Sequence, residues 1–126
     1  MNVPADLKYT DHDEWVRVDG NIVTLGISDF AQGELGELVH VELPEVGESF
    51  DAGDAVCEVE SVKAVAEVYS PLAGKVVEVN GDLEDSEETI NEAPYNAGWL
   101  VKLEVADLAP LDGLMNAEAY SAKLDA

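Results

Sequence analysis

Residues 57–71 read CEVESVKAVAEVYSP and set Lys63 midway between two alternating runs, with Glu58, Glu60 and Glu67 as its charged neighbours. A primary amine held in one place has two chemistries open to it. As a Schiff-base nucleophile it needs a desolvated pocket that depresses its pKa. As an attachment point for an acyl group it needs only to be reachable by another enzyme. Neighbouring glutamates oppose the first, because they favour the ammonium form. They leave the second open, together with the plain reading of a solvated lysine at a polar turn. Other chemistries find no support. His12 and His40 fit no zinc-ligand spacing. The acidic stretch 82–92, DLEDSEETINE, lacks the residue order of a calcium loop. Gly74-Lys75 lacks both the preceding glycine and the following Ser or Thr of a phosphate loop, and Gly33 with Gly36 makes no dinucleotide fingerprint.

The elements that must position the lysine follow from periodicity. AVCEVES (55–61) and AVAEVYS (64–70) alternate as strands and predict a hairpin over 55–70, with Val62 and Lys63 as its two turn residues. That register places Ser61 opposite Ala64, Val59 opposite Ala66, Glu58 opposite Glu67 and Cys57 opposite Val68. It sorts Cys57, Val59, Ala66 and Val68 onto one face and Glu58, Glu60, Val65 and Glu67 onto the other. Glu58 facing Glu67 is a like-charge pair that costs up to ~1 kcal/mol.

Around this finger the chain reads mainly as short strands. Residues 14–27 form a hairpin whose Asp19-Gly20 dipeptide suits a type I′ turn. Residues 28–36 predict a short helix with Ser28 or Asp29 as N-cap and Gly36 as stop. A strand over 37–44 ends at Pro44, turns and a short edge strand follow, and further strands occupy 75–81 and 98–105. Short helices are predicted at 86–94, capped by Ser86, and at 116–125, capped by Asn116 with Tyr120 and Leu124 one turn apart. KVVEVNG (75–81) echoes AVCEVES at an offset of 20, pairing Val56 with Val76 and Val59 with Val79, which suggests two similar β units packed together. Trp15 and Trp99 read as packing residues, and Gly74 as a backbone turn that a side chain would block. The fold class expected is mainly β: a barrel-sandwich hybrid of two packed antiparallel sheets with a few short peripheral helices, one of them C-terminal. Residues 1–126 read as one domain.

Composition narrows the partners. With 28 acidic residues against six Lys and Arg, the net charge of −22 argues against nucleic acid and anionic membrane surfaces. Lysine depletion with a carboxylate-rich surface suits a salt-rich cytoplasm and so a halophilic source; an acidic carrier that docks on basic enzyme faces would look the same, and both can hold. Cys57, the single cysteine, reads as a small buried thiol and forms no disulfide within the chain. No export signal or run of ~20 apolar residues is evident, so the expected location is the cytoplasm.

GDAVCEVESVKAVAEVYSPLAGKVVEVN (53–80) closely resembles the lipoyl-attachment hairpin of the glycine cleavage system H-protein family. LKYTDHDEWV, LGISDFAQGELGELVHVELPEVGESF, NEAPYNAGWLVKLEV and AEAY resemble the family's other landmarks in order, so the likeness spans essentially the whole chain. Biotin carriers are similar at the hairpin but place methionine on both sides of the lysine, where this chain has Val62 and Ala64. Lipoyl domains of 2-oxo acid dehydrogenases usually have aspartate before the lysine and lack counterparts of FAQGELG and PYNAGWL. One departure stands out: the family usually reads His-Glu-Trp where this chain has Asp13-Glu14-Trp15, with the histidine one place earlier at His12.

The resemblance implies a carrier, not an enzyme, active in glycine catabolism and one-carbon metabolism. It makes Lys63 the lipoylated residue and Glu60, Ser61, Val62 and Ala64 the remainder of the motif read by the lipoylating enzyme. The implied cofactor is covalent lipoate. The implied partners are a pyridoxal-phosphate glycine decarboxylase, a tetrahydrofolate-dependent aminomethyltransferase and dihydrolipoyl dehydrogenase, visited by a monomer. Glu14, Glu58 and Glu67 are candidates for holding the carried amine. The alternatives are a related protein that relays lipoate to other enzymes, a lipoyl domain of a 2-oxo acid dehydrogenase, and an interaction module with an unmodified Lys63.

Overall fold

The computed structural model describes residues 2–125. Nine strands run in chain order: β1 Lys8–Tyr9, β2 Glu14–Asp19, β3 Ile22–Ile27, β4 Leu38–Glu42, β5 Ser49–Phe50, β6 Ala55–Ser61, β7 Val65–Tyr69, β8 Gly74–Val79 and β9 Val101–Glu104. Helix α1 (Asp29–Leu35) separates β3 from β4, α2 (Glu88–Glu92) precedes β9, and α3 (Ala117–Asp125) follows it. The strands form a six-stranded sheet, β1-β2-β3-β9-β8-β5, and a three-stranded sheet, β4-β6-β7. Every pairing is antiparallel, as the alternating sequence predicts.

The core lies where the apolar faces of both sheets meet. Val23, Leu25 and Leu103 from the larger sheet and Val59 and Val68 from the smaller are almost wholly buried. The two echoing segments fall in opposite sheets, β6 and β8, and contribute Val56 and Val76 to this core. Cys57 is buried with them, and burial pushes its thiol up to about 12, the behaviour of a packing residue. A second cluster of Leu7, Tyr9, Trp15, Tyr95 and Tyr120 fastens α3 to the β1–β2 corner. There the Tyr9 and Tyr120 rings stack with centroids 4.5 Å apart.

Trp15 shows how pairing register fixes packing. It faces Gly26 across β2 and β3, and its indole N–H donates to the Pro94 carbonyl at 2.9 Å. A methyl group on Gly26 would sit 2.5–2.6 Å from the indole ring. Gly26→Ala should therefore cost about 1–3 kcal/mol by overpacking, read as a lower urea midpoint with an unchanged m-value. Gly74 is also a packing glycine. Its φ is not positive, and a side chain there would press on the Glu104 carbonyl at 3.1 Å, so close strand contact and not a turn explains it.

Several details differ from the sequence reading. In the β2–β3 hairpin Asp19 pairs with Ile22, so the turn is Gly20-Asn21. Only Gly20 has positive φ (+64°), the pattern of a type II′ turn. The helix expected at 86–94 begins at Glu88 without a side-chain cap, so Ser86 does not cap it; its backbone carbonyl accepts from the Thr89 N–H instead. Strand β1 and the 3-10 turns Gly81–Glu84 and Ala109–Gly113 are too short to show a period. Ser28 and Asn116 do cap α1 and α3, accepting from the Ala31 and Ala119 N–H groups.

The like-charge pair is larger than predicted. Glu58 faces Glu67 on one side and Glu42 on the other, a row of three carboxylates across the small sheet. Glu58→Gln should stabilise the protein by about 1 kcal/mol at low salt. The gain should shrink in 1 M salt, where the Debye length falls to ~3 Å. Paired thermal melts at the two salt concentrations check this.

Candidate functional site

The β6–β7 hairpin closes in the predicted register, with Glu60 opposite Val65, Val59 opposite Ala66, Glu58 opposite Glu67 and Cys57 opposite Val68. A bulge between Ala55 and Cys57 then brings Ala55, not Val56, opposite Tyr69. Val62 and Lys63 form the tip, both exposed and neither with positive φ. Ser61 is what holds the tip. Its backbone N–H donates to the Ala64 carbonyl at 2.8 Å, and its buried hydroxyl accepts from the N–H groups of Lys63 (3.3 Å) and Ala64 (3.0 Å). A side chain thus occupies the place of a backbone acceptor, as in other serine-braced turns. Val62 N–H donates to the Glu37 carbonyl, anchoring the tip to the start of β4. Ser61→Ala should cost about 0.5–1.5 kcal/mol, with faster amide exchange confined to Lys63 and Ala64.

The lysine stem folds back toward α1. Lys63 Cε lies 3.9 Å from where a Cβ on Gly36 would be, and Gly36 is the left-handed C-cap (φ +79°) of that helix. Among the described residues the one ion pair is Lys102 with Glu78, so the Lys63 ammonium is not tied by a carboxylate there.

From this end of α1 a cavity of about 200 Å³ runs along the helix. Phe30, Ala31, Glu34 and Leu35 of α1 form one wall, Ala66, Glu67 and Val68 of β7 another, and His12, Asp13 and Glu14 a third. The β7 wall is the edge strand of the small sheet. Beyond it a wider cavity of about 380 Å³ is lined by Thr10, Asp11, His12, Glu14, Gly53, Tyr69 and Ser70, among others. Glu14 and His12 border both.

Glu14 is the chemically unusual member. Its side chain is 2% exposed, yet both oxygens have partners. Thr10 Oγ1 donates to Oε1 at 2.6 Å, and the Tyr69 backbone N–H, on the open edge of β7, donates to Oε2 at 2.8 Å. Burial raises the carboxyl pKa above the ordinary range, while the Thr10 and Tyr69 hydrogen bonds and nearby His12 pull it back. Each carboxylate oxygen has a second lone pair free, so the group can accept one more donor, and a cationic one best.

The predicted site residues therefore divide. Lys63, Glu60, Ser61, Val62 and Ala64 share the tip. Glu14 and Glu67 meet at the cavity, where Glu67 accepts from the Tyr69 hydroxyl at 3.0 Å. Glu58 goes elsewhere: it lines a second depression with Glu42, Glu48 and the other side of Glu67, one that does not include Glu14. Thr10 and Tyr69 were not legible as site residues. Thr10 lies 53 positions from Lys63 and Tyr69 lies 55 from Glu14, and only the Glu67–Tyr69 alternation hinted that Tyr69 shares a face with a site carboxylate. The imidazole of His12 stacks obliquely on Tyr69, with centroids 4.9 Å apart.

The glycine cleavage H-protein family model matches residues 7–126. The chain belongs to that family. It is 54% identical over 121 residues to the glycine cleavage system H protein of Staphylococcus saprophyticus, covering 96% of each chain. The H protein of Staphylococcus haemolyticus is also 54% identical, over 120 residues. The crystal structure of an H protein from Mycobacterium marinum superposes with a TM-score of 0.89 at 37% identity, covering 98% of this chain and 99% of that one. Proteins of this family are lipoate carriers, and this chain is the lipoyl carrier component of a glycine cleavage system, which works with partner enzymes.

Proposed function

We propose that Lys63 is the residue that bears the lipoyl group, and that the arm rests along the α1–β7 cavity with its cargo against Glu14. The observation that carries this reading is the placement of one exposed lysine on a braced tip, its stem lying against the same helix that walls a cavity reaching a buried carboxylate. The residues fit the group. The amine is reachable and unpaired among the described residues, and the cavity walls nearest the lysine stem are apolar. When bound, the lipoyl group supplies a dithiolane that takes up the one-carbon amine left by glycine decarboxylation.

The chain's own residues do the rest. Ser61 fixes where the amine is presented to the lipoylating enzyme, which reads Glu60, Ser61, Val62 and Ala64 around it. Four positions along the chain, about 13 Å, separate Lys63 from Glu67, and six, about 20 Å, separate it from Tyr69, where Glu14 is bonded; a lysine stem lengthened by a lipoyl chain covers most of that range. Glu14, buried at the head of the cavity, accepts hydrogen bonds from the cargo's ammonium, and the exposed Glu67 adds a weaker, solvated carboxylate beside it. In this reading the chain is a carrier and not a catalyst. It is loaded by glycine decarboxylase, unloaded by a tetrahydrofolate-dependent aminomethyltransferase and reoxidised by dihydrolipoyl dehydrogenase. Acylation also removes one of only six Lys and Arg charges, leaving the finger more acidic for docking.

Intact-mass and peptide mapping of protein incubated with lipoate and its ligase provides the test. A lipoyl increment on the peptide containing Lys63, followed by restored glycine decarboxylation with the purified decarboxylase, is expected. An increment on Lys75 or Lys102 instead would reject the assignment.

A further inference from the structure

We infer that Tyr120, on the C-terminal helix, is a positioning residue that holds two walls of the arm cavity in register through its hydroxyl. The inference rests on the reading that the cavity shelters the arm. Tyr120 is fully buried and lies 57 residues from Lys63 in sequence. Its hydroxyl donates to Asp13 Oδ1 at 2.8 Å and sits 2.7 Å from Ser28 Oγ. A phenol has one proton; with that proton on Asp13, the Ser28 hydroxyl must donate to Tyr120. Ser28 Oγ in turn accepts from the Ala31 N–H as the N-cap of α1. The result is one directed chain of hydrogen bonds, Ala31 to Ser28 to Tyr120 to Asp13, of the kind whose members strengthen one another.

The two ends of this chain belong to different walls. Ala31 is part of the α1 wall, and Asp13 stands beside His12 and Glu14 in the third wall. Asp13 is also the sole non-glycine among the described residues with positive φ, +66°. Aspartate tolerates that conformation better than most residues, but it still needs contacts that hold it there. The Tyr120 hydroxyl is one, and the Ser28 N–H donating to the Asp13 carbonyl at 2.9 Å is another. The next residue in the chain is Glu14, so the dihedrals of Asp13 aim the carboxylate. Burial and the Asp13 carboxylate both raise the Tyr120 pKa, keeping the phenol protonated as the donor this arrangement requires. The stack of Tyr120 on Tyr9 anchors the ring independently of its hydroxyl.

Tyr120→Phe removes the hydroxyl and keeps the stack. Asp13→Gly keeps the backbone conformation and removes the acceptor, whereas Asp13→Asn keeps both the conformation and an accepting oxygen. Two readouts are needed. In the unmodified proteins, amide exchange at Ser28 and Ala31 should rise about two- to tenfold in Tyr120→Phe and Asp13→Gly, the factor set by one net hydrogen bond, and stay at the parent rate in Asp13→Asn. In the lipoylated, reduced proteins, alkylation of the dithiol by iodoacetamide should accelerate in the same two variants and not in the third. Unchanged exchange and alkylation in both Tyr120→Phe and Asp13→Gly would overturn the inference, as would an Asp13→Asn protein that behaves like Asp13→Gly. A parent dithiol alkylated as fast as free dihydrolipoamide would instead reject the sheltered arm while the exchange data still judge the clamp.

Discussion

Lys63→Arg protein will leave a lipoylation reaction with its mass unchanged and will support no glycine decarboxylation above the level without carrier. The guanidinium matches the ammonium in charge and reach, but amide formation needs a nitrogen that can lose its proton and attack an activated acyl group. Arginine stays protonated at any workable pH. Folding should be unaffected. Lys63 is exposed, its side chain makes no ion pair among the described residues, and its backbone bond to Ser61 survives the substitution. The urea midpoint should therefore shift by no more than about 0.5 kcal/mol equivalent. A total functional loss with unchanged stability separates an attachment role from a structural one. Lys75 and Lys102 serve as internal controls, because they lie on strands of the other sheet and Lys102 is held by Glu78 at 3.6 Å.

The second large effect is at Glu14, where function and stability should move in opposite directions. Glu14→Gln removes the charge proposed to hold a cationic cargo. A charge-assisted hydrogen bond in a site shielded from water contributes about 1.5–3 kcal/mol, so the lifetime of the loaded carrier should fall about tenfold or more. Release of the one-carbon unit from isolated loaded protein measures it directly. Glu67→Gln should have a smaller effect, since Glu67 is exposed and solvent competes for it.

Stability should respond with the other sign. Burial raises the folded-state pKa of Glu14 above its unfolded value. Between those two values the folded chain binds more protons than the unfolded one, so this group's contribution to stability falls as pH rises through the window. Above it the ionised carboxylate carries a desolvation cost that glutamine does not incur, while the amide nitrogen of glutamine costs a constant amount at every pH by leaving Thr10 or Tyr69 without its acceptor. Relative to the parent, the glutamine variant should therefore gain in urea midpoint as pH rises from the ordinary carboxylate range to above the raised pKa, and then hold that gain. Loaded-carrier lifetime in the parent should decline toward acid over the same window, and the variant should lack that decline. A parent-minus-variant difference flat across pH would mean that the carboxylate is solvated after all.

The residues of the hairpin were sufficient to set its own geometry. Period-2 alternation admits one register that turns Cys57, Val59, Ala66 and Val68 toward the core together, so the pairing and the exposed tip lysine were readable from the sequence. The caps Ser28 and Asn116 were readable for the same reason: each bonds to a backbone group three residues away. What alternation could not show was the bulge at Ala55, the one-residue displacement of the β2–β3 turn, or the hydroxyl of Ser61 replacing a backbone acceptor. Those depend on which local hydrogen bond wins by a small margin.

The cavity was decided by tertiary structure alone. Its walls come from residues 12–14, 30–35 and 66–68, and the carboxylate at its head is tuned by Thr10 and Tyr69 from separate strands and loops. Burial of Glu14 is the clearest case. In sequence it was one carboxylate among 28 acidic residues, indistinguishable by type from Glu58, which instead faces two other glutamates across the outer side of the small sheet. Local pattern sets which face of a strand a side chain takes; only the packing of one sheet, one helix and one turn against each other determines whether that face meets water or a walled cavity.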